Sequence, residues 1–170
     1  CILFGDGAGA AVVQAEEGEL YPLVAGSDGT MGHVLACESR VQNDWQQKEA
    51  DRKTYIDMDG TAVFKFAVRK MPEMAKSLMT QMHCTEADID WFITHQANER
   101  IIEAIAKRLK SDIAKFPMNI AECGNTSSAS IPILLDEMNR SGQLKDGQKI
   151  IMAGFGAGLS WGAVYMEWHA

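Results

Sequence analysis

No apolar run in this chain of 170 residues approaches the length of a membrane span, and its opening residues carry no signal-peptide pattern. Basic charge is scarce too. Sixteen lysines and arginines stand against 23 aspartates and glutamates, a net charge of -7 with a pI near 5.1. A general nucleic-acid binder leaves the opposite footprint, a strong basic excess, so the balance argues against that class. The four cysteines, Cys1, Cys37, Cys84 and Cys123, form no Cys-x-x-Cys pair. Reduced thiols in the cytosol are favoured over disulfides or zinc. His33 and Cys37 have i,i+4 spacing, but their stretch offers too few further ligands, and no metal is expected.

What is present is apolar content for a core, at 46% hydrophobic residues, in one domain or the larger part of one. The ten methionines are scattered and read as core filler. The chain opens Cys1-Ile2-Leu3-Phe4, inside an apolar strand with no initiator methionine, which reads as a fragment or a processed product. Gly5-Asp6-Gly7-Ala8-Gly9 and then Ala10 to Val13 extend this to strand, glycine turn, strand. The same letters meet a loose G-x-G-x-x-A nucleotide pattern. The acidic turn from Glu16 leaves no room for the helix that pattern needs, so a hairpin is favoured.

Leu20 to Ala25 reads as a strand, ended by Gly26-Ser27-Asp28-Gly29. Residues 31 to 52 lack periodicity, and a loop of that length in a compact domain is usually a functional cover or an excursion. From Gly60 a helical stripe appears: Val63, Phe64, Ala67, Val68, Met71, Met74, Ala75, Leu78 and Met82. Pro72 implies a kink or break near Lys70. Thr85 and Asp88 have the spacing of a helix-capping pair.

Ile89 to Ile93 is an apolar run that ends abruptly in Thr94-His95-Gln96-Ala97-Asn98, and a helix follows from Asn98 to about Lys110. A histidine at the carboxyl end of a buried strand, just before a helix, stands where open α/β sheets place their chemistry. A lone histidine satisfied by a neighbouring carbonyl is the bland alternative. On the helix, Glu103 and Lys107 have favourable i,i+4 order. Arg100, Lys107 and Arg108 share one side, either a solvated face or a docking surface for an acidic partner. Phe116-Pro117-Met118-Asn119 is strand-like, and the small polar run from Gly124 to Ser130 enters a helix with Pro132 in its first turn. Lys149 to Ala153, a glycine turn, and Ser160 to Trp168 form a closing hairpin of the same design as the opening one, which suggests a duplicated α/β architecture.

Three stretches, Thr94-His95-Gln96-Ala97-Asn98, Gly124-Asn125-Thr126-Ser127-Ser128-Ala129-Ser130 and Gly154-Phe155-Gly156-Ala157-Gly158-Leu159-Ser160-Trp161-Gly162, occur in this order. Together they resemble the β-ketoacyl-acyl carrier protein synthase III family, condensing enzymes that initiate type II fatty-acid synthesis. The resemblance implies a thiolase-like α/β fold. Residues 1–16 would be the closing hairpin of an absent N-terminal half, and residues 17–170 the C-terminal half-domain. It implies a decarboxylative condensation of an acyl-CoA primer with malonyl-acyl carrier protein, with no bound cofactor, in a cytoplasmic homodimer.

The resemblance carries over to particular residues. His95 and Asn125 match the family's catalytic histidine and asparagine. The backbone near Ala157 corresponds to its oxyanion hole. Gln96, Ala97, Asn98, Glu99 and Arg100, with Lys65, Lys107 and Arg108, correspond to the docking site for acyl carrier protein. Gly60, Thr61, Phe64, Asn98 and Phe155 fall where the family lines its pantetheine channel, although Thr61 departs from the asparagine of some members. The family's nucleophilic cysteine precedes this chain. Cys123, two residues from Asn125, occupies a position the family does not use for it, so no condensing activity is expected of these residues alone. A related condensing enzyme of polyketide or signal-molecule synthesis, or a non-catalytic docking module, are the rival readings.

Overall fold

The computed structural model describes residues 3–15, 17–18, 20–37 and 55–169. Its centre is the run Trp-Phe-Ile-Thr of β4 (Trp91–Thr94), which lies parallel to β5 (Lys149–Gly156) and sets Phe92 against Ile151 and Ile93 against Met152. β5 turns back into antiparallel β6 (Ser160–Glu167), and β6 pairs antiparallel with β1 (Leu23–Ser27), giving the mixed order β1-β6-β5-β4. A separate two-stranded piece joins β2 (Leu35–Cys37) to β3 (Ile56–Met58).

Side chains alternate across a strand, so this sheet must be covered on both faces. Phe92, Ile151, Ala163 and Tyr165 point one way, into a core with α1 (Gly60–Gln81) and α2 (Glu99–Leu109). Ile93 and Ile150 point the other way, against Leu134 and Met138 of α4 (Ser130–Arg140). The expected α/β class with a mixed sheet is what the chain adopts. The short α3 (Ile120–Cys123) comes just before Asn125 in the chain, ahead of α4.

Local signals account for the helix ends. The Asp59 carboxylate accepts the N–H groups of Thr61 and Ala62 at the start of α1. Asn98 caps α2 by accepting the Arg100 N–H at 2.9 Å. The Asp88 carboxylate accepts both the N–H and the hydroxyl of Thr85 at 2.7 Å, as the capping spacing predicts.

Several expectations are corrected. Residues 5–15 form no strand; Phe4 makes one parallel bridge to Asn125, and Val12 and Val13 are almost fully exposed. A lone hairpin with neither face packed is marginal, and no layer of the described structure covers this one. The strand expected from Leu20 begins three residues late, at Leu23, and runs through the expected turn to Ser27, which pairs with Ser160. Helix α1 continues through Pro72, whose ring is buried in the core face rather than breaking the helix. On α1, Phe64 is exposed and Phe66 is buried against Phe155 and Trp161, so the buried stripe is shifted from the one expected. Glu103 and Lys107 form no ion pair, as befits two exposed side chains in solvent. Phe116 to Asn119 joins no strand; Phe116 instead stacks on Phe92, centroids 4.8 Å apart and planes within 9°. Of the expected cover over residues 31 to 52, residues 29–34 form a 3-10 turn leading into β2, and the rest from 38 lies outside the described residues.

Phe92 is 2% exposed and stacked, so truncation leaves a cavity between sheet and helices. Phe92→Ala is expected to lower the unfolding free energy by about 3–5 kcal/mol, read from urea midpoints. A loss below about 1 kcal/mol would contradict this packing.

Candidate active site

β4 ends at Thr94, and the next residue, His95, still belongs to the parallel ladder: its N–H donates to the Ala153 carbonyl at 2.9 Å. The backbone then bends, with the Ala97 N–H donating to the His95 carbonyl at 3.0 Å. That bend projects the imidazole from the carboxyl edge of the sheet, beside Gly154 of β5 and edge-on to Phe155 at 5.7 Å. Nδ1 lies 2.7 Å from the Ser130 hydroxyl oxygen. Nε2 has no partner among the described residues, and His95 lines a cavity.

Asn125 lines the same cavity. Its backbone is clamped on both sides by the opening segment: its N–H donates to the Leu3 carbonyl and its carbonyl accepts the Gly5 N–H. This approach is so close that a Cβ at Gly5 would collide with the Cys123 carbonyl, which is why glycine stands there. Asn125 Oδ1 accepts the Ser127 N–H at 2.9 Å, and Ser127 is held at φ 54, a region most residues avoid. With Oδ1 so engaged, the amide NH2 is the end left free to donate, and it has no partner among the described residues. A strained residue beside a fixed amide is where backbones store constraint at functional sites.

The cavity measures about 470 Å³. Its walls are mostly apolar, from Val63, Ile131 and Phe155 among others, and the turn at Ala157 closes its rim. Gly158 takes the positive φ of that turn, 137°, so Ala157 is not forced into the left-handed region. Two unpartnered polar ends, His95 Nε2 and the Asn125 amide, on residues lining one largely apolar hollow are an arrangement that could stabilise charge developing on a bound oxygen. Among the described thiols, Cys37 lines the cavity. Cys84 and Cys123 are both pushed above the ordinary thiol range by burial, with Asp88 and Glu137 adding to the effect respectively.

The other expected site residues are placed unevenly. Phe155 lines the cavity, but Gly60, Thr61, Phe64 and Asn98 do not; all four are exposed, and Asn98 is engaged as the α2 cap. Glu99, Arg100, Lys107, Arg108 and Lys65 are exposed, and Ala97 is half-buried. Arg69 of α1 and Arg108 of α2 both act on the Glu73 carboxyl, which Lys70 chiefly holds below its usual range, so basic residues of the two helices share one face. Gln96 is corrected. It is 0% exposed, so it cannot touch a partner. Ser130 was not singled out by sequence; it ended a run of small polar residues and gave no further signal.

Residues 79–168 match the family described as 3-Oxoacyl-[acyl-carrier-protein (ACP)] synthase III C terminal. The chain is 45% identical over 171 residues to a Beta-ketoacyl-[acyl-carrier-protein] synthase III of Clostridium novyi, covering 99% of this chain and 53% of that protein. The chain therefore spans about half the length of the relatives it matches. Its fold is similar to a crystal structure of 3-oxoacyl-[acyl-carrier-protein] synthase III from Aquifex aeolicus, with TM-score 0.87 and 37% identity, covering 99% of this chain and 51% of that one. It is also similar to the priming beta-ketosynthase from the R1128 polyketide pathway, with TM-score 0.75 and 34% identity over 86% of this chain and 44% of that one.

Burial holds the His95 imidazole below the ordinary histidine range. The unfolded chain, with a histidine pKa of about 6.5, therefore takes up the proton first as pH falls. Its contribution to stability is present above that value and is lost as pH falls toward the lowered native pKa. An NMR titration of the His95 ring should give a midpoint below about 6.5, and a midpoint above it would contradict the burial seen here.

Proposed function

The chain belongs to the 3-oxoacyl-acyl-carrier-protein synthase III family, and from that premise we propose that its cavity receives a malonyl thioester and promotes its decarboxylation. The observation that carries the reading is that His95 and Asn125 line one largely apolar cavity, and neither His95 Nε2 nor the Asn125 NH2 has a partner among the described residues. As the bond between the malonyl C2 and its carboxylate breaks, carbon dioxide leaves and the bonding pair moves onto C2 and the thioester oxygen. Hydrogen-bond donors fixed in advance at that oxygen lower the barrier without reorganising, and a largely apolar wall strengthens them. The resulting carbanion then attacks the carbonyl of an acyl group carried as a cysteine thioester, forming a carbon–carbon bond and expelling the thiolate. The Ala157 N–H is proposed to serve the oxyanion of that second step.

The substrates proposed are an acyl-CoA primer and malonyl-acyl carrier protein, with no bound cofactor. The acyl-bearing cysteine is proposed to lie outside these residues, as the resemblance implies; Cys84 and Cys123, whose pKa values are raised, are the reverse of an activated nucleophile. The exposed Arg100, Lys107 and Arg108 of α2, with Lys65 of α1, are proposed to dock the acidic carrier protein. The 34% identity to the R1128 priming ketosynthase supports a second reading, a condensing enzyme of polyketide synthesis with a different primer. Comparing primers of different length separates the two.

In the enzyme that carries this chain, His95→Ala and Asn125→Ala are each expected to slow decarboxylation of malonyl-acyl carrier protein about a hundred- to a thousandfold, the size of oxyanion-donor deletions. Unchanged decarboxylation in either variant would sink the catalytic reading in favour of a structural pair.

A further inference from the structure

A donor role for His95 requires that the proton of its neutral ring sit on Nε2, and nothing in the cavity itself enforces this. Behind the ring lies Ser130, the first residue of α4, only 2% exposed. Its hydroxyl oxygen is 2.7 Å from His95 Nδ1 and accepts the backbone N–H of Gln96 at 3.3 Å. We propose that Ser130 is a positioning residue whose hydroxyl donates to His95 Nδ1 and thereby keeps the ring proton on Nε2, facing the cavity.

The argument is one of counting donors. A serine hydroxyl carries one proton and two lone pairs. The Gln96 amide occupies one lone pair. Were Nδ1 protonated, it would donate to the second, and the hydroxyl proton would be left buried with no acceptor among the described hydrogen bonds. An unsatisfied buried donor is costly, so that tautomer is disfavoured. With Nδ1 unprotonated, the hydroxyl proton has an acceptor and the amide keeps its own. Both donors are satisfied in only one tautomer. The Gln96 amide is fixed in turn, since its side chain is fully buried and tied to three backbone groups, which holds the hydroxyl in register with the ring. Outer hydrogen bonds of this kind set the tautomer of working histidines generally.

The inference deepens the donor reading of His95 and rests on it for its catalytic consequence, but the tautomer is measurable without catalysis. In the 15N-labelled protein, with the His95 signals identified by their absence from His95→Ala, Nδ1 is expected to show the shift of an unprotonated ring nitrogen and Nε2 that of a protonated one. Ser130→Ala should shift the ring toward a mixture of tautomers and slow decarboxylation about 10- to 100-fold, the size of outer-shell deletions. Ser130→Thr, which keeps the hydroxyl, should restore both. An unchanged His95 spectrum in Ser130→Ala overturns the proposal, as does a protonated Nδ1 in the unmodified protein, a result available even if the variant does not fold. A changed tautomer with unchanged decarboxylation upholds the role of Ser130 and rejects the donor role of His95, so the two failures are distinct.

Discussion

The buried side-chain amide of Gln96 is the constraint on which this site depends. An amide with no access to water must spend its hydrogen-bonding capacity on protein groups or destabilise the fold. Its NH2 donates to the carbonyls of Thr94 and Pro117, at 2.9 and 3.4 Å, and its oxygen accepts the Asn119 N–H at 3.3 Å. Asn119 then donates to Glu137 on α4 at 2.8 Å. One side chain thus ties the end of β4 to the segment leading into the Asn125 loop, and that segment to the helix carrying Ser130. The bend that aims His95 and the loop that aims Asn125 are positioned from one point. This is why a residue adjacent to His95 in sequence works behind the site and not at its surface.

The remaining geometry follows from the sheet. The parallel pairing of β4 and β5 brings the end of β4 level with Gly154, so the histidine and the β5–β6 turn share one edge. Helices on both faces exclude water from the strands and leave the carboxyl edge open to a ligand. The chemistry proposed needs no charged catalytic group at rest. Burial holds His95 toward its neutral form, and a neutral ring can still donate a hydrogen bond to an oxygen that becomes negative.

Much of this was legible in sequence wherever one segment dictated its own shape. The β4 run, the Asn98 cap, the Thr85–Asp88 pair and the β5–β6 hairpin are set by neighbours within a few residues; all four are present, though β4 is Trp91–Thr94 rather than Ile89 to Ile93 and β5 runs on from Ala153 to Gly156. His95 and Asn125 were legible through resemblance, not spacing. What was hidden depends on contacts between distant segments. Phe66 rather than Phe64 is buried because Phe155 and Trp161 lie across from it. Ser130 meets His95 across 35 residues of chain, and no periodicity encodes such a meeting. The opening segment carries the letters of a hairpin, yet a hairpin needs a packed face that the described residues do not provide.

The central claim is that two donors from distant segments of the chain converge on a single oxygen. A crystal structure of the enzyme that carries this chain, bound to a malonyl thioester analogue that cannot lose carbon dioxide, tests it directly. The account predicts His95 Nε2 and the Asn125 amide nitrogen both within about 2.7–3.1 Å of the thioester oxygen. An analogue whose thioester oxygen meets only one of them, or neither, would contradict it.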